Sequence, residues 1–401
     1  MERSALKPRQ FPWYDYSRYT FSLGLAVGER ALLSGHSASE YDAAAREMVV
    51  KGGMREQSRT AWAKIAAILE AGGQSLADIV RVVEYVTPDG IENYAEAAAA
   101  RAELFGANRP ALNTVVVNRL LRPQALIEIE VEAEPSTEPL HATSGWPPAL
   151  APARVAGGFV YLSSIMPVDD AGAVIAPGDP VAQTRAIFER AARVLGALGL
   201  GMDRVVKTVD YLAPAALPNY KLTADVRREF LGPVYPAATG IIMRRVAHRD
   251  ALIQVDFIAS HHQPTAVNPG WARYAQLTYS PAVRAGDMLF IAGHTALDPE
   301  SGAPMHAGDV GAQAAYVYGN ILRVVAAAGG GPEHLAKTIE YITPAALERY
   351  REVAGVRSRI LRAPFPASTG CVCETLLRPE CQIEVDSLAI IPRGASAGSK
   401  E

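Results

Sequence analysis

The sequence predicts an α+β protein made of three tandem copies of one β-β-α-β-α-β-β unit, arranged as a pseudo-trimer within a single chain. Three recurrences predict it. An acid-Tyr pair appears as Glu84-Tyr85, Asp210-Tyr211 and Glu340-Tyr341, at offsets of 126 and 130. Pro110-Ala111, Pro236-Ala237 and Pro366-Ala367 repeat at the same two offsets. So do Ile127-Glu-Ile-Glu130, Ile253-Gln-Val-Asp256 and Ile383-Glu-Val-Asp386. Independent markers in one register signal a repeated structural unit. The copies span roughly 14–136, 147–260 and 272–393.

Each element can be read in order. A hairpin comes first, ending in copy one at Leu32-Leu33-Ser34-Gly35. Trp62, Ile65, Ala66 and Leu69 then share one face of a helix, as do Phe188, Ala191, Ala192 and Leu195, and Tyr318, Ile321, Leu322 and Val325. Gly72-Gly73 and Gly329-Gly330-Gly331 suit the left-handed turn that ends a helix. A β-branched strand carries the acid-Tyr pair and runs to a proline, which fits the first turn of a second helix. That helix bears Arg101, Arg227 or Arg357 near its end. Two strands close the unit, 115–117 and 127–131 in copy one. Helices fall on one face of a mixed sheet. The bare faces are expected to cover one another around a pseudo-threefold axis. The joins, 136–145 and 261–270, read as Pro/Gly/polar linkers, and the tail 393–401 as frayed.

Composition bounds the function. The 401 residues carry 39 basic and 42 acidic side chains, a net −3, with 49% hydrophobic and 20% charged residues. That balance has no basic footprint for nucleic acid or anionic membrane. No stretch is long and apolar enough for a membrane span, and no leader segment is expected at the start. Cys371, Cys373 and Cys381 lie within eleven residues and lack zinc spacing. They read as free thiols in a cytoplasmic protein. No phosphate loop, zinc-protease motif or dinucleotide fingerprint is present, so neither metal nor cofactor is expected.

The segments Phe290-Ile-Ala-Gly293-His-Thr-Ala, Lys337-Thr-Ile-Glu-Tyr, Phe365-Pro-Ala-Ser-Thr-Gly370 and Gln382-Ile-Glu-Val-Asp386 make the unit resemble the RidA/YjgF family of imine and enamine deaminases. The resemblance implies a chorismate-mutase-like fold and ligand clefts between subunits. It implies a ligand-facing glycine at Gly35 and Gly293, where copy two has Ser164. It implies an aromatic from the neighbouring subunit at Phe21 and Tyr279, where copy two is near Leu150. It implies a water-positioning acid at Glu128 and Glu384, where copy two has Gln254. The deaminases' arginine after Pro-Ala is absent here: those positions read Leu112-Asn113-Thr114, Ala238-Thr239-Gly240 and Ser368-Thr369-Gly370.

Each candidate has a bland reading beside the functional one. His36 and His294 follow the glycine and could carry protons near neutral pH, or could be bonded interface histidines. Glu128 and Glu384 could relay a proton to water, or could be solvated carboxylates on an outward strand face. Glu84, Asp210 and Glu340 could line the clefts. The preferred reading pairs them across the pseudo-threefold interface, with Arg101, Arg227 and Arg357 as candidate partners. Cys371 or Cys373 could be a nucleophile, though packing fits better. The expected function is a cofactor-independent enzyme acting on a small imine, enamine or carbonyl-type metabolite by water or proton transfer. Copy three, with Tyr279, Gly293, His294 and Glu384, is the expected site, shared with copy one. The alternatives are a chorismatase-like or biosynthetic lyase or cyclase, or a non-enzymatic small-ligand-binding protein. The expected assembly is a monomer or a symmetric dimer.

Overall fold

A computed structural model describes residues 2–106, 108–135, 139–140 and 151–392. Leu150, most of the first join and the tail 393–401 lie outside the described residues. Unit one contains β1 (Gly24–Val27), β2 (Arg30–Leu33), α1 (Met54–Ala71), β3 (Ile79–Val86), α2 (Tyr94–Phe105), β4 (Ala111–Val116) and β5 (Ile127–Ala133). Unit two repeats the order with β6 (Ala153–Ala156), β7 (Phe159–Leu162), α3 (Pro180–Gly196), β8 (Val205–Leu212), α4 (Thr223–Phe230), β9 (Ala237–Ile242) and β10 (Ile253–Ser260). Unit three has β11 (Ala282–Ala285), β12 (Met288–Thr295), α5 (Val310–Ala327), β13 (Leu335–Ile342), α6 (Arg351–Ile360), β14 (Ala367–Val372) and β15 (Ile383–Ile390). In each sheet the acid-Tyr strand lies between the last strand, antiparallel, and the Pro-Ala strand, parallel. The expected element order is therefore present three times.

Strand alternation sorts the chemistry onto two faces. On β5, Ile127, Ile129 and Val131 pack in one core with Trp62, Ile65 and Leu69 of α1. Glu128, Glu130 and Glu132 therefore face the opposite way. That face is not outward: all three carboxylates are buried, and Glu130 and Glu132 meet Lys337 of unit three. The solvated reading of Glu128 and Glu384 is thus replaced by burial. On β3, Val82, Glu84 and Val86 take the helix side, and Arg81, Val83 and Tyr85 the inner side.

The units meet in a cycle. A short strand of unit one, Arg119–Leu120, adds to β14 of unit three, and Thr375–Leu376 of unit three adds to β9 of unit two. At the centre, each unit's inner cation grips the next unit's acid. Arg81 lies 3.7 Å from Asp256, Lys207 lies 2.8 Å from Asp386, and Lys337 lies 2.7 Å from Glu130. Glu132 ties the belt together, 2.9 Å from both Arg81 and Lys337. Burial alone would raise the Glu132 pKa, yet Lys337 and Arg81 outweigh it and hold the group down to about 2. The belt surrounds a cavity of about 40 Å³. Beyond it Tyr211 and Tyr341 meet hydroxyl to hydroxyl at 3.3 Å, beside Tyr85 in the same core.

Three expectations change. Glu84, Asp210 and Glu340 do bind Arg101, Arg227 and Arg357, but within each unit and not across the interface. The joins are not plain linkers. Pro139–Leu140 and Thr265–Val267 pair as edge strands with β6 and β11, as Arg3–Ala5 does with β1. The proline after the acid-Tyr strand starts only a short turn, and the longer helix begins six or more residues later. Cys371, Cys373 and Cys381 are buried in the inter-unit core, and burial raises the Cys371 thiol well above its usual value.

The belt makes a stability prediction. Lys337→Met removes a cation from both Glu130 and Glu132 and leaves Glu130 without an ion-pair partner among the described residues, and breaking a buried pair costs about 3–5 kcal/mol. Chemical denaturation at pH 7 should show a loss of that order. A loss under about 1 kcal/mol would mean that the belt does not hold the units together.

Candidate active site

The three inter-unit clefts are built from equivalent strands but hold different side chains. The cleft between units two and three has a volume of about 590 Å³. Unit three supplies Tyr279, Gly293 and Glu384, and unit two supplies Thr239, Gly240 and Arg227. Three residues expected together thus do line one cleft. Two details differ from expectation: the partner is unit two, not unit one, and Tyr279 comes from the same unit as Gly293.

The neighbouring unit's Pro-Ala strand sets this geometry. Ser280 donates its N–H to the Pro236 carbonyl at 3.0 Å, which lays the Tyr279 segment along unit two. A side chain at Gly293 would run into the Glu384 carboxyl and into the Thr239 methyl, 2.8 Å away, so only glycine lets the strands approach. Thr239 donates to Asp386 at 2.6 Å and accepts from Lys207 at 3.0 Å. The belt therefore fixes the cleft wall.

Glu384 is buried, and its pKa is pushed up to about 8. Burial is the main cause and Asp386 adds to it, while Lys207 and the Gly240 N–H oppose. The carboxyl is thus mostly protonated at pH 7. His294 turns to the other side of its strand, where its ring meets Trp271 at 5.8 Å, and it does not line the cleft. Burial, with Lys207 adding, lowers its pKa to about 4, so the imidazole is neutral.

Beneath the cleft, Arg227 binds Asp210, and Tyr220 donates to Asp210 at 2.7 Å. Unit three repeats this with Glu340, which binds Arg357 at 2.6 Å and accepts from Tyr350 and Tyr318. Unit one repeats it with Glu84, 2.6 Å from Arg101 and 2.5 Å from Tyr94. Glu84 and Glu340 are fully buried, each paired with an arginine of its own unit.

The cleft of unit one abuts unit three. Gly35 donates its N–H to Thr369 Oγ1 at 2.9 Å, and a side chain there would strike Glu128. Burial, with Glu130 adding, raises Glu128 to about 8, against Lys64 and Arg122. Phe21 stacks on Tyr19 at 4.9 Å. Lys64 from α1 lies 5.0 Å from the Tyr14 ring centre and donates to the Ser37 carbonyl at 2.7 Å. His36 bonds the Leu23 carbonyl at 3.0 Å, and burial lowers its pKa to about 3. In unit two the equivalent space is cross-braced. Gln254 donates to the Thr114 carbonyl at 2.8 Å and to Ser164 at 2.6 Å, and Ser164 donates to Asp256 at 2.6 Å.

Arg378 and Arg273 also line the unit-three cleft, and the family pattern does not point to either. A sequence signal exists for the first: Leu120-Leu121-Arg122-Pro123 recurs as Leu376-Leu377-Arg378-Pro379. Among the described residues no group of three or more His, Cys, Asp or Glu could hold a metal ion, and no helix is long and apolar enough to cross a membrane.

Comparison with known proteins places this arrangement. The family described as Endoribonuclease L-PSP matches residues 15–134, 141–261 and 271–391. A RutC family protein of Pyrococcus horikoshii is 40% identical over 85 residues, 21% of this chain and 65% of that protein. The 3-aminoacrylate deaminase RutC of Acinetobacter baylyi is 31% identical over 118 residues, 29% of this chain and 91% of that protein. A solved chorismatase shares the fold over 78% of this chain and 93% of its own, with a TM-score of 0.50 and 13% identity. With nearly the whole length matched three times in succession, the chain belongs to the Endoribonuclease L-PSP family, as a tandem fusion of three RidA/YjgF-type domains.

Proposed function

We propose that the chain is an enzyme acting on a small enamine or imine, and that the cleft between units two and three is its active site. One observation carries the reading: Glu384, a buried carboxyl that holds its proton at neutral pH, faces a cleft large enough for a metabolite. The name of the Acinetobacter relative, a 3-aminoacrylate deaminase, supports the same class of chemistry.

The steps follow from the protonation state. Glu384 delivers its proton to the enamine carbon, and the nitrogen lone pair forms the C=N bond of an iminium ion. The resulting carboxylate takes a proton from water as the oxygen attacks the iminium carbon. Glu384, protonated again, donates to the amine nitrogen and takes the hydroxyl proton as the carbinolamine collapses; the C–N bond breaks, and ammonia leaves with the carbonyl product. One group serves as acid and then as base, which suits a pKa close to the working pH. Glu384 is proposed as catalytic, with Glu128 as its counterpart in unit one. Tyr279, Gly293, Phe21 and Gly35 are proposed as substrate contacts. His294 and His36 act at most through the strand they belong to.

Ammonia release from 3-aminoacrylate and related enamine acids tests this. General acid–base catalysis contributes about 10²–10⁴ in rate, so Glu384→Gln should lower kcat by that much. Retention of full turnover on a substrate the parent protein processes would reject the assignment. The pH profile supplies a second check. The first step needs the protonated carboxyl, so kcat/KM should fall as pH rises through about 8, and Glu384→Gln should abolish that limb. A limb near pH 6–7 would contradict the neutral state of His294. Gln254 belongs to the cross-braced cleft, so Gln254→Ala should cost less than about tenfold, or ~1.4 kcal/mol of transition-state stabilisation.

Glu384 also ties function to stability. Its folded pKa is raised, so its ionisation favours the unfolded chain. Its contribution is full below pH ~4.5 and is lost as pH rises toward 8. Glu384→Gln should therefore raise Tm more at pH 9 than at pH 5. An equal shift at both would mean that the group is solvated and not buried.

A further inference from the structure

We infer that the unit-three cleft takes a substrate with two anionic groups, a dicarboxylate or an acid of equivalent charge. The inference rests on that cleft being the active site and concerns only what it binds.

Two guanidinium groups line the cleft without a carboxylate partner among the described contacts. Arg378 comes from the loop before β15, and Arg273 from the segment before β11. Burial raises the pKa of the Tyr279 hydroxyl, which lines the same cleft, and Arg273 and Arg378 oppose that rise. Arg227, on the opposite wall, is already neutralised by Asp210. The single acid lining the cleft, Glu384, holds its proton at neutral pH. Lys221 lines the cleft as well, so its walls carry three cations with no carboxylate partner among the described contacts, and the planar guanidinium forks of Arg273 and Arg378 suit carboxylates.

Unit one gives the contrast. In the register that aligns Trp13 with Trp271 and Phe21 with Tyr279, Asp15 stands where unit three has Arg273. Arg122 aligns with Arg378. Asp15 and Arg122 act in opposite directions on the Tyr19 hydroxyl. One charge at the corresponding place is thus reversed. Unit two has His248 at the arginine position. The third cleft combines a proton-holding carboxyl with two arginines that have no carboxylate partner among the described contacts. A monoanion would leave one guanidinium unpaired, whereas a dianion satisfies both.

Calorimetric titration of the whole chain with α,ω-dicarboxylates from malonate to adipate, beside butyrate and hexanoate, tests this at about 0.1 M salt. At least one dicarboxylate should bind tenfold or more tightly than either monocarboxylate. Arg378→Gln and Arg273→Gln should each remove most of that preference, and Arg273→Asp, which reproduces the unit-one charge, should abolish it. The inference is overturned if no dicarboxylate binds saturably, if dicarboxylates and monocarboxylates bind equally, or if the preference survives both Arg→Gln variants. Glu384→Gln should keep the preference. If it keeps the preference and also full turnover, the dianion site stands and the catalytic assignment fails.

Discussion

The structure depends on burying charge at the centre of the molecule. Alternation in the last strand of each unit puts its aliphatic residues under the helices and its acids on the inner face. Water is excluded there, so each acid needs a partner. Unit one's Arg81 and Asn113 both engage Asp256 of unit two. Unit two's Lys207 and Thr239 both engage Asp386 of unit three. Unit three's Lys337 and Thr369 both engage Glu130 of unit one. The same rule thus operates at all three junctions. Breaking one link leaves a buried charge unpaired, which costs far more than an intact pair contributes.

Because the belt holds the Asn or Thr that walls each cleft, central packing and peripheral chemistry are one problem. The carboxyl two residues before the belt acid, Glu128 or Glu384, is raised by burial and by that acid. The belt therefore holds the walls and also helps set the proton affinity of the groups facing the clefts. A fused chain can keep the belt at all three junctions while the clefts diverge. Here one cleft is cross-braced by Gln254, one is packed by Tyr14, Tyr19 and Phe21, and one is open.

The repeats and the element order were legible in the sequence, because each leaves a local pattern at a fixed offset; the grouping of Tyr279, Gly293 and Glu384 came from the family resemblance. The facing of the Ile/Glu strand was not legible, because alternation shows that two faces differ without showing which is covered. The partner of the third cleft was not legible either, since cyclic order is a property of docking and not of any one unit. Arg81, Lys207 and Lys337 sit in the same strand as the acid-Tyr pair and recur as cations. They were readable as a fourth marker, but their partners lie in other units. His36 and His294 each follow the glycine in the chain, and strand alternation puts neighbouring residues on opposite faces. The edge strands at the joins carry no pattern of their own and form only against a finished hairpin.

The central claim is that one chain holds three unequal clefts, of which the one walled by Glu384 and Thr239 binds substrate. A crystal structure of the chain soaked with glutarate tests it most directly. The account predicts density in the cleft between units two and three, bridging Arg273 and Arg378 beside Glu384, with the Gln254 cleft closed. Equal density in all three clefts, or density in the Gln254 cleft alone, would contradict it.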